Sequence, residues 1–265
     1  IERVLWGTFL VEGIGAIGYS FQFIPEYGVA KGIFYSVFHS ISAFCNAGVD
    51  ILGDSSFTRY VNTPVITITT TMLVILSGLG YPVWIDLAKN IKMTIQSKGK
   101  RPVGRTITRL SLQSKIVLTM TLFLLTLGTV GFYLLEHHNP ATMGTLNAAG
   151  KFQAAFFQSV TTRTAGFASV SQSGLTNGSK LLASMLMIIG GSPAGTAGGI
   201  KTTTVAVLLL TANFCLERKQ RYGMLWKKNY IRNYKSRDNN HTCDICLLAV
   251  WGDGDDSDRA TAESP

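Results

Sequence analysis

Long apolar stretches alternate with short polar ones along the chain, and the length of each apolar stretch predicts what it forms. A helix needs about 20 apolar residues to cross the hydrocarbon core of a bilayer, which is about 30 Å thick. Four stretches reach that length with no more than one charged residue each: Val4–Phe23, Val65–Leu87, Ile116–Leu135 and Leu181–Leu210. The pattern therefore predicts an all-α membrane protein with four spanning segments.

Two shorter apolar stretches, Ile33–Phe44 and Phe152–Thr162, lie between the predicted spans and are too short to cross a bilayer. Each runs into a turn that contains glycine. A short apolar helix followed by irregular backbone is typical of a re-entrant pore loop, because such backbone persists in a membrane only where it lines a water-filled path or is buried in protein. For either stretch alone, an interfacial or buried helix is the alternative.

The two short stretches belong to an internal repeat. Four residues recur at a constant offset of 118 positions, so that Phe34, Phe38, Ala47 and Gly48 match Phe152, Phe156, Ala165 and Gly166. Similar motifs flank them in the same order in both halves. The repeating unit is a spanning helix, a re-entrant helix with a glycine turn, and a second spanning helix, which favours pore loops over isolated buried helices.

Composition and charge place this apolar body in a membrane and orient it. Of the 265 residues, 46% are hydrophobic and 15% are charged, below the roughly 25% charged residues typical of soluble domains. Eight basic residues and no acidic one fall between Lys89 and Lys115, which predicts a cytoplasmic loop and argues against nucleic-acid binding despite a net charge of +9. The predicted parts are a first repeat (1–88), this basic loop (89–114), a second repeat with a broken last helix (115–214) and a polar, cytoplasmic tail (215–265).

The glycine turns are the candidate ion filter. They comprise Asn46, Ala47, Gly48 and Val49 in the first repeat and Thr164, Ala165, Gly166 and Phe167 in the second. Backbone carbonyls replace the hydration shell of a cation where the chain is extended and unpaired, and glycine permits the φ angles that aim carbonyls at a common axis. The preceding helix points its partly negative C-terminal end at the turn. The alternative is a glycine turn that packs two helices together, but its recurrence favours the filter.

A glycine-rich run interrupts the last apolar stretch. As one helix, the 30 residues of Leu181–Leu210 would be about 45 Å long, which exceeds the bilayer core. Five glycines and a proline instead predict two helical pieces joined by a loop, which below a filter acts as a gate; close helix packing is the alternative. The candidate gate residues are Gly190, Gly191, Ser192, Pro193, Ala194, Gly195, Thr196, Ala197, Gly198, Gly199 and Lys201. The Lys201 side chain either lines the inner mouth of the pore or extends to the cytoplasmic interface.

The remaining reactive side chains indicate no enzymatic chemistry. No nucleophile and base occur in an arrangement typical of catalysis. Glu12 lies within a predicted span and is assigned a structural role, and His39 a packed, hydrogen-bonded position. Cys243 and Cys246 have the spacing of half a zinc site, without a second ligand pair. We therefore predict neither an enzyme nor a cofactor, and no metal beyond a transported cation.

Three segments carry a family resemblance: FYSVFHSISAFCNAGVD, FQSVTTRTAGF and IGGSPAGTAGGIKTTT. Over about residues 1–214 the chain resembles the Trk/Ktr/HKT superfamily of potassium transporters, most closely the KtrB-type membrane subunits. The resemblance implies a pseudo-fourfold, potassium-channel-like fold of four helix–pore-loop–helix repeats around one cation path, of which this chain resembles repeats two and three. It implies that residues 46–49 and 164–167 are the second and third filter quarters, and that residues 190–199 form the gating loop.

The resemblance also implies the transported ion and the partners. The ion is K⁺, with Na⁺ as the alternative, and the family assembles as a plasma-membrane homodimer on a cytosolic ring of nucleotide-binding regulatory subunits. The chain departs from the family in lacking repeats one and four and in its polar tail after Phe214, which we interpret as a frameshifted, prematurely ended or partial gene. The predicted function is a fragment of a potassium uptake transporter; the alternative is a non-conducting interaction subunit, or a truncated pseudogene product, that keeps part of the fold.

Overall fold

The computed structural model of the chain describes residues 2–53, 56–96, 109–212 and 214. These residues form eight α-helices and one short 3₁₀ helix, and no β-strand occurs among them. The predicted all-α class is confirmed. The helices are α1 (Glu2–Tyr27), α2 (Val29–Phe44), α3 (Pro64–Leu79), α4 (Tyr81–Gln96), α5 (Leu112–Glu136), α6 (Ala148–Thr161), α7 (Asn177–Ile188) and α8 (Thr202–Ala212), with the 3₁₀ helix at Ser56–Tyr60.

The chain divides into two compact units, residues 1–209 and residues 210–265. Of the second unit, the structure describes only four residues near its start. The predicted polar tail with its half zinc site, and residues 97–108 of the basic loop, lie outside the described residues. The contacts and the candidate site described below belong to the first unit.

Two helices, α1 and α5, are long and apolar enough to cross a bilayer, over Val4–Tyr27 and Leu112–Glu136. They confirm the first and third predicted spans. The cap of α5 is tied to α4, because the Asp86 carboxylate accepts hydrogen bonds from the Ser111 amide at 2.9 Å and from the Ser114 hydroxyl at 2.6 Å. Ser111 is itself the N-cap of α5, and its hydroxyl accepts from the Ser114 amide at 3.2 Å.

A buried carboxylate fixes the far end of α5. The Glu136 side chain accepts hydrogen bonds from the Thr176 amide at 2.9 Å, from the Thr176 hydroxyl at 2.8 Å and from the Asn139 side-chain amide at 2.6 Å. Thr176 is the N-cap of α7, so the carboxylate lies at the partly positive start of that helix. Glu136 thereby joins the end of α5 to the start of α7.

The second predicted span is wrong as a single segment. α3 and α4 form an angle of 98° and meet at Gly80, whose φ of 80° is a conformation that favours glycine. Pro82 in the first turn of α4 lacks the amide that would continue α3. In addition, residues 89–96, assigned above to the basic loop, continue α4. The first repeat therefore ends in a bent helix pair.

The fourth predicted span is broken, as predicted. α7 ends at Ile188 and α8 begins at Thr202. The Ile200 amide donates to the Ile188 carbonyl at 2.9 Å, and the Gly190 amide donates to the Ile200 carbonyl at 3.1 Å. These bonds close the base of the connection between the two helices. We call residues 190–201 the gate loop, after the role that the sequence predicts for them.

The two short apolar stretches form the helices α2 and α6, which have 16 and 14 residues. They are about 24 and 21 Å long and therefore too short to span, and each ends at a glycine turn, as predicted. Both repeats contribute to one aromatic core, because Tyr19, Phe23 and Phe57 lie in the same buried cluster as Phe157 and Phe167. This shared core holds the two turns in one part of the molecule.

Apolar and polar side chains are distributed as a membrane protein requires. Large apolar side chains are exposed along α1, where Trp6, Phe9 and Phe21 are 75%, 63% and 72% exposed, and such surfaces fit contact with lipid. His39 is fully buried, with Nδ1 2.7 Å from the Tyr35 carbonyl oxygen. Its packed, hydrogen-bonded position agrees with the prediction.

Candidate cation filter and gate

The two glycine turns share positive φ angles at equivalent residues. Positive φ angles occur at Asn46 (51°) and Gly48 (65°) in the first turn, residues 46–49, and at the equivalent Thr164 (69°) and Gly166 (97°) in the second turn, residues 164–167. Residues other than glycine rarely adopt such φ angles, and for the β-branched Thr164 the conformation is strained. The 118-residue repeat of the sequence is therefore also a repeat of backbone geometry.

A hydroxyl from the preceding helix anchors the end of each turn. Ser42 Oγ donates to the Val49 carbonyl at 2.6 Å, and Thr161 Oγ1 donates to the Phe167 carbonyl at 2.6 Å. Both hydroxyls lie in the last turn of their helices, α2 and α6. Each glycine turn is thus fixed to the partly negative C-terminal end of a helix.

The carbonyls that precede the anchored one in each turn are unpaired. Those of residues 46–48 and 164–166 accept no hydrogen bond from any part of the chain that the structure describes. An unpaired carbonyl in a membrane interior is costly unless water or an ion contacts it. These carbonyl oxygens are therefore available to replace the hydration shell of a cation.

The two turns lie against each other at their glycines. A Cβ atom at Gly48 would collide with the Ala165 carbonyl oxygen and would lie 2.7 Å from Gly166 Cα. A Cβ atom at Gly166 would lie 3.1 Å from Gly48 Cα. Each glycine is therefore required both for its φ angle and for the space it leaves to the neighbouring turn. The structure thus brings the sequence-predicted residues of both turns together.

The gate loop contacts both turns at the same repeat position. Thr196 Oγ1 accepts a hydrogen bond from Asn46 Nδ2 at 2.8 Å and donates one to the Phe44 carbonyl at 3.1 Å. The Gly198 amide donates to Thr164 Oγ1 at 2.9 Å. Asn46 and Thr164 are equivalent residues, so the loop bonds each turn through the side chain of its first positive-φ residue.

The gate loop also fills the bend between α3 and α4. In a continuous helix, residue 82 would donate its amide to the Gly78 carbonyl, but Pro82 has no amide. The Gly78 carbonyl instead accepts from the Ser192 amide at 3.0 Å and from the Ser192 hydroxyl at 2.6 Å. A Cβ atom at Gly80 would lie 2.5 Å from the Pro193 carbonyl oxygen, so the bend and the loop are in backbone contact.

The next pair of backbone groups at the bend is satisfied in the same way. A continuous helix would pair the Tyr81 amide with the Ser77 carbonyl. In the bent pair, the Tyr81 amide donates to the Ala194 carbonyl at 3.3 Å, and the Ser77 carbonyl accepts from the Thr196 amide at 3.4 Å. The loop therefore supplies partners for the groups that the bend leaves without a helical one.

Two cationic side chains bond to carbonyls of the gate loop. Arg163 is 6% exposed and its Nη2 lies 3.4 Å from the Gly190 carbonyl oxygen, while its Nε has no hydrogen-bond partner among the described residues. Lys201 Nζ donates to the Ala197 carbonyl at 2.8 Å, so its side chain folds back on the loop. The sequence analysis did not single out Arg163. Its signal was a charged residue directly before the second turn, at the end of an otherwise uncharged segment.

Comparison with known sequences identifies the family. A family model described as TrkH, cation transport protein, matches residues 3–233. The chain is 37% identical to the Ktr system potassium uptake protein B of Vibrio alginolyticus, over 86% of this chain and 47% of that protein. It is 36% identical to the potassium/sodium uptake protein NtpJ of Enterococcus hirae, over 80% of this chain and 44% of that protein. The chain thus spans less than half the length of these relatives.

A solved structure shares the fold. The potassium transporter TrkH from Vibrio parahaemolyticus superposes with a TM-score of 0.62 at 20% identity, over 82% of this chain and 41% of that one. At this identity the likeness concerns the fold alone. The family match extends over most of the chain, and the sequence relatives agree with it. The chain therefore belongs to the TrkH family of cation transport proteins.

Proposed function

We propose that this chain supplies two neighbouring quarters of the ion filter in a potassium uptake transporter, with the gate loop against them. The observation that carries the proposal is the set of carbonyls at residues 46–48 and 164–166 that have no partner among the described residues, held side by side by two turns with positive φ angles at equivalent residues. The relatives are named potassium and potassium/sodium uptake proteins, which supports a monovalent cation as the transported ion.

The filter works by replacing water around the cation. Carbonyl oxygens of both turns coordinate a partly dehydrated K⁺, with Na⁺ as the competing ion. Asn46 Oδ1, which is buried without a hydrogen-bond partner among the described residues, adds a side-chain oxygen from the first turn itself. The C-terminal ends of α2 and α6 contribute partial negative charge. The cation moves passively, and no covalent bond is made or broken.

Two turns surround only part of an ion. Full coordination requires further carbonyls, and we assign them to two more repeats, in keeping with the resemblance to a family of four repeats around one path. This sequence together with those repeats is the complete transporter of the experiments below.

The gate loop closes the path beside the two turns. Its hydrogen bonds to Asn46 and Thr164 hold it against the filter, and its bonds to Gly78 hold it in the bend of the first repeat. Glycine is dense in the loop, so its backbone adopts a second arrangement at low steric cost. Opening consists of releasing these bonds, which frees the path for the cation.

Membrane placement and partners form part of the same proposal. The protein is a multi-pass plasma-membrane protein with the basic loop (89–114) and the tail in the cytoplasm, supported by the run of basic residues. The complete transporter is a homodimer on a cytosolic ring of nucleotide-binding regulatory subunits, supported by the family resemblance. Nucleic acid is not a partner.

Glycine replacement tests the filter. In the complete transporter reconstituted into liposomes, Gly48→Ser and Gly166→Ser should each lower the discrimination of K⁺ from Na⁺ severalfold, because an added Cβ meets the backbone of the other turn. The matched control is Gly13→Ser, because a Cβ at this exposed position on α1 meets no atom within 4 Å. Unchanged discrimination in both turn variants would remove these turns from the filter.

A further inference from the structure

We propose that Thr196 of the gate loop is a positioning residue for the ion filter, a role that rests on the proposed function. Thr196 holds Asn46, and with it the first turn, in the shape that selects the ion. The choice between K⁺ and Na⁺ is therefore made as the ion binds while the gate loop is closed, and it depends on a residue outside the filter.

The Thr196 hydroxyl makes two hydrogen bonds. It accepts a hydrogen bond from Asn46 Nδ2 at 2.8 Å and donates one to the carbonyl of Phe44, the last residue of α2, at 3.1 Å. The Thr196 amide is bonded to the Ser77 carbonyl at 3.4 Å. Thr196 therefore connects the end of α2, the first turn and α3.

The residue that Thr196 holds, Asn46, has an uncommon backbone conformation. Asn46 has a φ of 51°, which an L-residue keeps only where its surroundings fix it. Both hydrogen atoms of its side-chain amide are used, because Nδ2 also donates to Ser77 Oγ at 3.2 Å. Loss of the Thr196 hydroxyl removes one of these two bonds and frees the Asn46 side chain to turn.

The gate loop makes an equivalent contact with the second turn, through Thr164. Thr164 has a φ of 69°, strained for a β-branched residue, and its Oγ1 accepts from the Gly198 amide at 2.9 Å. Gly198 lies two residues after Thr196, so one displacement of the loop breaks both contacts. Because the two positive-φ residues lose their support together, gate opening and filter relaxation are a single event.

The test uses the complete transporter in detergent, with the ratio of K⁺ to Na⁺ binding affinity, measured while the gate is closed, as the readout. Thr196→Val keeps the side-chain shape and removes the hydroxyl, and it should lower the ratio about fivefold, the size expected for one hydrogen bond. Thr196→Ser restores the hydroxyl and should restore the ratio. Thr204→Val, at an exposed position on α8, is the matched control and should leave the ratio unchanged.

The outcomes separate this proposal from the filter itself. If Thr196→Val leaves the ratio unchanged while Gly48→Ser lowers it, the positioning role is overturned and the filter assignment stands. If Thr196→Ser behaves like Thr196→Val, the hydroxyl is not responsible and the positioning role is again overturned. If neither Thr196→Val nor Gly48→Ser changes the ratio, the proposed filter is overturned as well.

A double-mutant cycle tests the route through Asn46. If Thr196 acts through this residue, the variant that combines Asn46→Ala with Thr196→Val should discriminate no worse than Asn46→Ala alone. Losses that add in the double variant would overturn the route.

Hydrogen exchange on the unmodified complete transporter gives a measurement that does not depend on any variant folding. The Ala47 amide bonds to the Ser42 carbonyl at 2.9 Å, and the Ser192 amide of the gate loop bonds to the Gly78 carbonyl at 3.0 Å. If loop and filter open together, peptides that contain these two amides should show protection within about tenfold of each other. Protection of the turn about a hundredfold above that of the loop would overturn the coupling.

Discussion

The two turns share positive φ angles at equivalent residues but differ in their surroundings. The first turn is open, since Val49 is 55% exposed and the neighbouring Cys45 thiol is exposed and free. The second turn is enclosed, since Phe167 is 2% exposed and its ring lies 5.0 Å from that of Phe57, centroid to centroid. Because the positive φ angles recur in both, burial does not set this conformation. Both turns have a glycine, a hydroxyl anchor and a gate-loop contact to the first positive-φ residue, and these shared features accompany the conformation.

The residue directly before each turn differs in charge. Cys45 and Arg163 occupy equivalent positions, but Cys45 is neutral and exposed whereas Arg163 is 6% exposed and makes one long hydrogen bond, to Gly190. Burying a guanidinium with few hydrogen-bond partners costs free energy. The first repeat has no charged residue at the equivalent position. The second turn is therefore preceded by a positive charge near the proposed cation path, and the first turn is not.

Because the second turn is enclosed and the first is open, we expect the largest effect on stability from replacing the enclosed side chain, Phe167. Phe167→Ala should lower the free energy of unfolding by about 3 kcal/mol, because it leaves a cavity in the aromatic core. Val49→Ala, at the equivalent exposed position, should cost less than about 0.5 kcal/mol. Thermal unfolding of the purified chain in detergent measures both, and similar losses would mean that the two turns are equally enclosed.

An intermediate effect is expected from exchanging the charge before the turns. Arg163→Met should lower the KM for K⁺ uptake severalfold, because it removes a poorly screened positive charge next to the path. Cys45→Arg should raise KM by a smaller factor, because water and salt screen an exposed charge. Uptake kinetics of the complete transporter give both values, and an unchanged KM for Arg163→Met would show that this charge does not act on the ion.

The smallest effect is expected from the hydroxyl anchors, and it should be the same in both turns. Ser42→Ala and Thr161→Val each remove one buried hydrogen bond to the carbonyl that ends the turn, at a cost of about 1 kcal/mol. Chemical denaturation of the purified chain compares the two variants with the unmodified protein. A large difference between them would contradict a common local origin of the turn conformation.

Elements with local signals could be predicted from the sequence, and those fixed by distant contacts could not. The length of an apolar stretch was sufficient for α1 and α5, and the density of glycine was sufficient for the break between α7 and α8. The bend at Gly80 was missed because Val65–Leu87 is long enough to span as one helix. Gly80 and Pro82 allow that bend locally. The hydrogen bonds that Ser192, more than a hundred positions away, donates to the Gly78 carbonyl hold it.

The candidate site shows the same limit. The glycine turns and the gate loop were recognised as separate motifs, from repetition and composition. The contact between Asn46 and Thr196 joins residues 150 positions apart, and neither motif alone implies it. Arg163 was missed because its local signal, a charge directly before the second turn, does not distinguish a buried guanidinium from one that reaches water.

The bend at Gly80 also bears on how the two duplicated halves change over time. The first repeat contains the bend between α3 and α4. The second repeat contains the gate loop, whose Ser192 and Ala194 bond to backbone groups at that bend. Each feature depends on the other, because in a straight helix the Gly78 carbonyl would be paired within the helix and Ser192 would lose its acceptor. An insertion or a bulkier residue on one side therefore requires a matching change on the other, so the halves of this duplicated protein must diverge as a pair at this point.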